Sequence, residues 1–200
     1  MYYLGVDLGG TNIKAALVSE NGEIVKEAAV PTNLPRTAQA VCDDIAALCL
    51  QLGAGEAVAG IGVGCPGTVC DGVVLYSNNL DWHDFAMADY LQAKTGLPVC
   101  IGNDANVAAL GEALAGCAKG AQSAVILTLG TGVGAGVVLG GKLLTGYTGA
   151  ASEAGHMVIA DAPDAPLCSC GRRGCLESLA SATALIRMTR EARRTHPESL

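Results

Sequence analysis

The stretch Tyr3-Leu4-Gly5-Val6-Asp7-Leu8-Gly9-Gly10-Thr11-Asn12-Ile13-Lys14-Ala15-Ala16-Leu17-Val18 is two short apolar runs around a glycine-rich turn. Such punctuation predicts a tightly turned β-hairpin. The pattern returns 121 residues later, as Gly9 is echoed by Gly130. Ala124 to Leu129 is a run, Gly130-Thr131-Gly132-Val133-Gly134 a turn, and Ala135 to Leu139 a second run closing at Gly140-Gly141. Chance resemblance between glycine hairpins is one explanation. Internal duplication of a nucleotide-handling hairpin is the more economical one. Duplication implies two lobes with a boundary near 115–122, so the chain divides into an N-terminal lobe of residues 1–118 and a partial C-terminal lobe of residues 119–200.

Between the hairpins, a third apolar run, Ile24 to Val30, follows the turn Glu20-Asn21-Gly22-Glu23 and ends at Pro31. Ala40, Val41, Ile45, Leu48 and Leu52 recur at helical spacing, which predicts a helix from Arg36 to Leu52 that Gly53 terminates. Val58 to Val63 lacks alternation and reads as a strand buried on both faces, followed by the Gly64-Cys65-Pro66-Gly67 turn. Val99 to Gly102 reads the same way and runs into Asn103-Asp104, either of which is a natural N-cap for a helix from Ala105 to Ala118. Beyond the second hairpin lie a cysteine-rich loop and an arginine-dotted helix, Ser181 to Arg194. The class is mixed α/β, with too little after residue 140 to complete a lobe matching the first.

Composition excludes several classes. Of 200 residues 50% are hydrophobic and 16% charged, with mean hydropathy +0.39, far from the composition of disordered chains. No apolar stretch approaches the ~18 residues that cross a bilayer, so no membrane partner is expected. The N-terminus has no basic region and meets Asp7, which is unlike a secretory signal and suggests a cytoplasmic protein. A net charge of −7 argues against nucleic acid as a partner. Nine cysteines, an odd number, do not form a disulfide framework in a reducing compartment. Cys42, Cys49, Cys65, Cys70, Cys100 and Cys117 read as small buried hydrophobes.

The chemistry concentrates in a few places. Asp7-Leu8-Gly9-Gly10-Thr11 is either a plain tight turn or a phosphate cradle, in which glycines admit backbone N–H groups and Thr11 adds a donor. Asp7, an acid ending an apolar strand, favours the cradle, with Mg²⁺ held through water. Lys14 adds charge nearby or is simply solvated. Cys168-Ser169-Cys170-Gly171-Arg172-Arg173-Gly174-Cys175 sets three soft ligands within eight residues, and His156 upstream can be the fourth. Four protein ligands would make a closed, structural Zn²⁺ site. Glu153 and Glu177 bracket that loop, and with Asn78-Asn79 they are either ordinary surface groups or carboxylates and amides that hold sugar hydroxyls. Asp104, where a strand meets a helix, is a cap or a base.

These motifs together resemble the ROK family of bacterial sugar kinases and repressors, and look most like its glucokinases. The resemblance rests on Asp7-Leu8-Gly9-Gly10-Thr11-Asn12-Ile13-Lys14, Gly64-Cys65-Pro66-Gly67, Asn103-Asp104-Ala105-Asn106, Leu129 to Gly136, Glu153-Ala154-Gly155-His156 and the Cys168/Cys170/Cys175/Glu177 run. It implies the actin-like, hexokinase-type (ribonuclease H-like) ATPase fold and an ATP-dependent hexose kinase that makes glucose 6-phosphate and feeds glycolysis. It makes Asp104 the general base and gathers Asn79, Asn103, Glu153, His156 and Glu177 around the sugar, with His156 also a zinc ligand. Gly9, Gly10 and Thr11 would face the ATP phosphates from one lobe, and Gly130, Thr131 and Gly132 from the other.

Two departures qualify the expectation. Family repressors carry a helix-turn-helix domain ahead of the part matched here, and this chain begins at the first strand. Family kinases continue well past residue 200, where the adenine pocket lies, so the chain reads as truncated and inactive alone. Rival readings are a kinase for N-acetylmannosamine, N-acetylglucosamine, fructose or allose, a non-catalytic sugar sensor, and a zinc-stabilised interaction module. A homodimer is expected of the full-length protein, with Arg187, Arg190 and Arg194 interfacial or solvated.

Overall fold

The computed structural model describes residues 1–199. In chain order the first elements are β1 (Tyr2–Leu8), β2 (Asn12–Ser19), β3 (Ile24–Pro31), α1 (Ala38–Leu52), β4 (Val58–Cys65), β5 (Thr68–Cys70), β6 (Val73–Ser77) and β7 (Trp82–Phe85). There follow α2 (Met87–Thr95), β8 (Val99–Asn103), α3 (Asp104–Leu114), β9 (Ser123–Leu129), β10 (Val133–Leu139), β11 (Lys142–Leu143), α4 (Leu176–Ala180) and α5 (Ala182–Thr195). A five-stranded sheet has the order β3-β2-β1-β4-β8, with β4 and β8 parallel to β1. Separate three-stranded sheets are β5-β6-β7 and β11-β10-β9.

Side-chain alternation along a strand sends every second residue to one face. Leu4, Val6 and Leu8, then Ile13, Ala15 and Leu17, then Ile61, Val63 and Cys65 form the buried face of the large sheet. The stripe Val41, Cys42, Ile45, Leu48, Cys49 and Leu52 of α1 belongs to the same core. Thr37 caps α1, its Oγ1 accepting from Ala40 N at 3.3 Å, and Gly53 N donates to Cys49 O at 2.9 Å to close it.

The other face of that sheet corrects the expectation that β4 and β8 are buried on both sides. β4 presents Gly60, Gly62 and Gly64 there, positions with no side chain to bury, and Gly62 is exposed. β8 is an edge strand with Cys100 exposed. In β4 the continuous apolar character comes from glycine alternating with Ile61 and Val63, not from two packed faces. Of the six cysteines expected to be buried, Cys42, Cys49 and Cys65 are, whereas Cys70 is half-buried and Cys100 and Cys117 are exposed.

Helix α3 lies between the five-stranded sheet and the β11-β10-β9 sheet, and glycine lets it approach both. Its Val107 packs so closely that a Cβ at Gly102 would stand 2.7 Å from Val107 Cγ1, and one at Gly64 2.9 Å from Cγ2. On the second sheet Ala105 and Ala109 meet Gly134 and Gly136. These alanines are four apart and share a helix face. The helix stops at Leu114 instead of Ala118, where the Glu112 carboxylate accepts from Cys117 N at 2.8 Å. α5 begins as expected, with Ser181 Oγ accepting from Ala184 N at 3.1 Å.

The duplicated hairpins are built alike. Both are antiparallel, and each leaves a loop of three residues, 9–11 and 130–132, at the same offset of 121. Gly9 N donates to Asn12 O at 2.9 Å, and Gly130 N to Gly132 O at 3.0 Å. The second sheet is less covered than the first, since Val125, Leu127 and Leu129 of β9 stay exposed. No helix among the described residues is long and apolar enough to cross a membrane.

Candidate functional site

The junction of β8 and α3 resolves which of two neighbours is the cap. Asn103 is the N-cap, its Oδ1 accepting from Asn106 N at 3.0 Å, while its Nδ2 donates to Gly67 O at 3.0 Å. Asp104 is thereby released from capping duty and occupies the first turn of α3, with Oδ1 accepting from Ala105 N at 2.8 Å. Burial is the first reason that its carboxyl is held above the ordinary aspartate range. The negative charge of Asp7 adds to the effect, and hydrogen bonds from the helix N-terminus oppose it. Asp7 and Asp104 line one cavity of about 420 Å³ together with Gly64, Val107 and Thr128.

Asp7 itself is exposed, so the expected burial cost at this position does not arise. It ends β1 on the open face, opposite Lys14 in the β1–β2 register. A solvent-facing carboxylate oxygen at a strand end is a suitable donor for hydrated Mg²⁺. Gly10 and Thr11 are exposed beside it. Behind this turn the buried Thr32 fixes both flanks, its Oγ1 donating to Gly9 O at 2.7 Å and its N–H to Thr11 O at 2.9 Å. Asp7, Lys14, Asn103 and Asn106 border a second, larger cleft of about 1450 Å³ along the glycine face of the sheet. Asn106, 4% exposed and with no partner for Oδ1 among the described residues, has no role assigned by the sequence beyond its place in the Asn103-Asp104-Ala105-Asn106 motif.

The cysteine loop and His156 converge as their spacing suggested. One ligand atom each from His156, Cys168, Cys170 and Cys175 lies within 4.8 Å of the others. Cys168 Sγ is 3.5 Å from His156 Nδ1, and Cys170 Sγ is 3.7 Å from Cys175 Sγ. A tetrahedral ion with the usual zinc–sulfur and zinc–nitrogen bonds sets those edges at about 3.6 and 3.8 Å, so the donor set fits. The Cys170 thiol is drawn down to about 6, first by the backbone N–H of Arg172 and then by its side chain, which favours the thiolate a metal needs.

Glu153 is exposed just ahead of a single 3-10 turn, Ala154–His156, that presents the histidine. Gly155 presses on Val133 O so closely that any Cβ would overlap it. Glu177 follows Cys175 in α4, and its carboxylate is engaged, Oε2 accepting from Val133 N at 3.0 Å and Oε1 from Ser169 Oγ at 2.8 Å. Asn79 sits in the exposed turn after β6. The base of that β-unit is drawn toward the site, because Gly67 is held by Asn103 and Val69 O meets Gly149 of the loop leading to Glu153.

The ROK family model matches residues 3–199. The glucokinase of Thermotoga maritima is 44% identical over 98% of the chain, which spans 62% of that relative's length. An N-acetylmannosamine kinase of Shigella boydii is 41% identical over 90% of the chain, again 62% of the relative. Among solved structures, a ROK family glucokinase from Streptomyces griseus in complex with glucose and AMPPNP superposes with a TM-score of 0.87 at 40% identity, covering 99% of this chain and 63% of that one.

Proposed function

The chain belongs to the ROK family, and from that premise we propose that it carries the sugar site and both phosphate-facing hairpins of an ATP-dependent hexose kinase acting on the 6-hydroxyl of glucose. The fold is the hexokinase type of its relatives, and the chain spans about three-fifths of their length. The observation that carries the reading is Asp104, a half-buried carboxylate freed from capping by Asn103 and set beside Asp7 at the strand ends. Ligands meet α/β sheets at such places.

In this reading Asp104 accepts the proton of the 6-hydroxyl as its oxygen attacks the γ-phosphorus, and ADP leaves. Phosphoryl transfer depends mostly on alignment and charge neutralisation, so a carboxylate suffices as the base. Asn79, Asn103, Glu153, His156 and Glu177 orient the sugar. Gly9, Gly10, Thr11 and Lys14, with Gly130, Thr131 and Gly132, donate to the phosphates from lobes divided near residues 118 and 119. Mg²⁺, reached by Asp7 through water, supplies charge neutralisation when bound. Zn²⁺ on His156, Cys168, Cys170 and Cys175 supplies a rigid loop, and free thiolates of this kind suit a reducing cytoplasm.

Likeness to the N-acetylmannosamine kinase supports that sugar as the second reading. A coupled ADP-release assay over a hexose panel separates the two. It is run on the chain fused to the remaining two-fifths or so of the Thermotoga maritima relative. Glucose is expected to give the highest kcat/KM. Preference for N-acetylmannosamine selects the second reading, and no hexose-dependent release removes both.

A further inference from the structure

The two glycine turns are held by different means. Thr32, a residue from the end of β3, clamps the first. The strand after the second hairpin, β11, has two residues and pairs only at Val138 and Leu139, far from the turn, and the segment 177–183 takes over. Ala182 N donates to Gly130 O at 2.9 Å, Thr183 Oγ1 donates to Thr131 O at 2.8 Å, and Val133 N donates to Glu177 Oε2 at 3.0 Å. The carboxylate of Glu177 fills the space that a Cβ on Gly132 would need. Its other oxygen is tied to Ser169, between Cys168 and Cys170.

We propose that Glu177, besides its place around the sugar, positions the Gly130–Val133 turn for phosphate as a strut and ties it to the cysteine loop. This deepens the kinase reading and rests on it for the ligand. A hydrogen bond from a backbone N–H to a carboxylate is stronger than a neutral one. A turn of Gly130, Thr131 and Gly132, with one side chain, does little to fix its own shape. The strut therefore supplies from outside what Thr32 supplies in the first hairpin. Changes at the cysteine loop should reach the turn through Glu177 and Ser169.

The test is amide exchange and MgADP titration by NMR on the chain completed with the C-terminal part of the Thermotoga maritima relative, comparing wild type with Glu177→Gln and Glu177→Asp. Glutamine keeps an acceptor for Val133 N and a donor for Ser169 Oγ. Aspartate keeps the charge but falls roughly one bond length, ~1.5 Å, short. The Val133 amide is expected to exchange roughly tenfold or more faster in Glu177→Asp and near wild-type rate in Glu177→Gln. Amides of Val6 and Ile61 report whether each variant is folded. Shifts of the Gly130, Thr131 and Gly132 amides should saturate with MgADP in wild type and Glu177→Gln, and at about fivefold or higher concentration in Glu177→Asp. Unchanged Val133 exchange in Glu177→Asp overturns the strut, as does equal loss in both variants. Equal MgADP affinity in all three overturns the coupling to phosphate. Wild type that binds no MgADP while Val133 exchange follows the expected pattern leaves the strut standing and removes the nucleotide reading, and the coupling with it.

Discussion

Asp7 and Asp104, from the ends of β1 and β8 with β4 between them, open onto one cavity, and the charge of the first helps keep the second protonated beyond the ordinary aspartate range. Gly64 sits opposite Asp7 in the β1–β4 register, and the nearest approach of a Cβ there to Asp104 Cα would be 3.5 Å. A side chain in that place would stand between the two acids.

Asp104→Asn in the fused protein is expected to keep sugar binding and lose roughly 10²–10⁴ in kcat, because the amide retains shape but takes no proton. Steady-state kinetics with glucose decide it. A kcat within about fivefold of wild type at unchanged KM would reduce Asp104 to a structural residue of the first helical turn.

The same substitution has a signature in stability. A carboxyl whose folded pKa is raised above its unfolded value stabilises the fold fully below the unfolded value. That contribution is lost as pH rises through the folded one. The Tm of Asp104→Asn relative to wild type should therefore be more favourable at about pH 7 than at about pH 3. A relative Tm that stays constant with pH, or that becomes more favourable to Asp104→Asn toward acid, contradicts the raised carboxyl.

Purified protein should contain one zinc, and Cys170→Ser should release it together with most sugar affinity. The strands β1–β4 should stay folded, since His156, Glu153 and Glu177 hang on the loop and that sheet does not. Metal analysis and glucose calorimetry test this. After chelation Cys170 should be alkylated faster than the other cysteines at neutral pH, its thiol being drawn to about 6 and exposed. Full sugar affinity in metal-free protein counts against the site.

Gly155→Ala is expected to destabilise by about 2 kcal/mol or more, as overpacking against backbone allows no side chain to yield. The added methyl would overlap Val133 O, so β10 and the histidine turn must separate. Urea unfolding gives the value. A cost under about 0.5 kcal/mol would mean that the contact between Gly155 and Val133 is not maintained.

Residues 1–200 alone should show no hexose-stimulated ADP release, while the fused protein does. Val125, Leu127 and Leu129 form an exposed apolar row on β9, and Leu185 and Ile186 are exposed on α5. Hydrogen exchange should find 121–200 less protected than 1–115. Robust turnover by the 200 residues, or equal protection, would show that half of the cleft is enough.

The hairpins, the helix read as Arg36 to Leu52 and observed from Ala38, its stop at Gly53, the Ser181 start of α5 and the Cys168–Cys175 loop with His156 were all legible in the sequence. Each is specified locally, by the two-residue period of a strand, the spacing of a helical stripe, the need of a turn for glycine, or soft ligands a few residues apart. Local pattern also misled where its cause was ambiguous. Val58 to Val63 lacks alternation because glycine replaces every second side chain, and only the packed structure shows that face open. Asn103 and Asp104 are equally good caps by type, and the pull of Gly67 O on Asn103 decides between them across 36 residues. Glu177 reached the candidate list as a neighbour of cysteine, but its grip on Val133 spans 44 residues and has no local signature. Such partners are chosen by how α3, the glycine faces and the cysteine loop pack together, since a carboxylate takes whichever donor the close approach of two distant segments brings within reach.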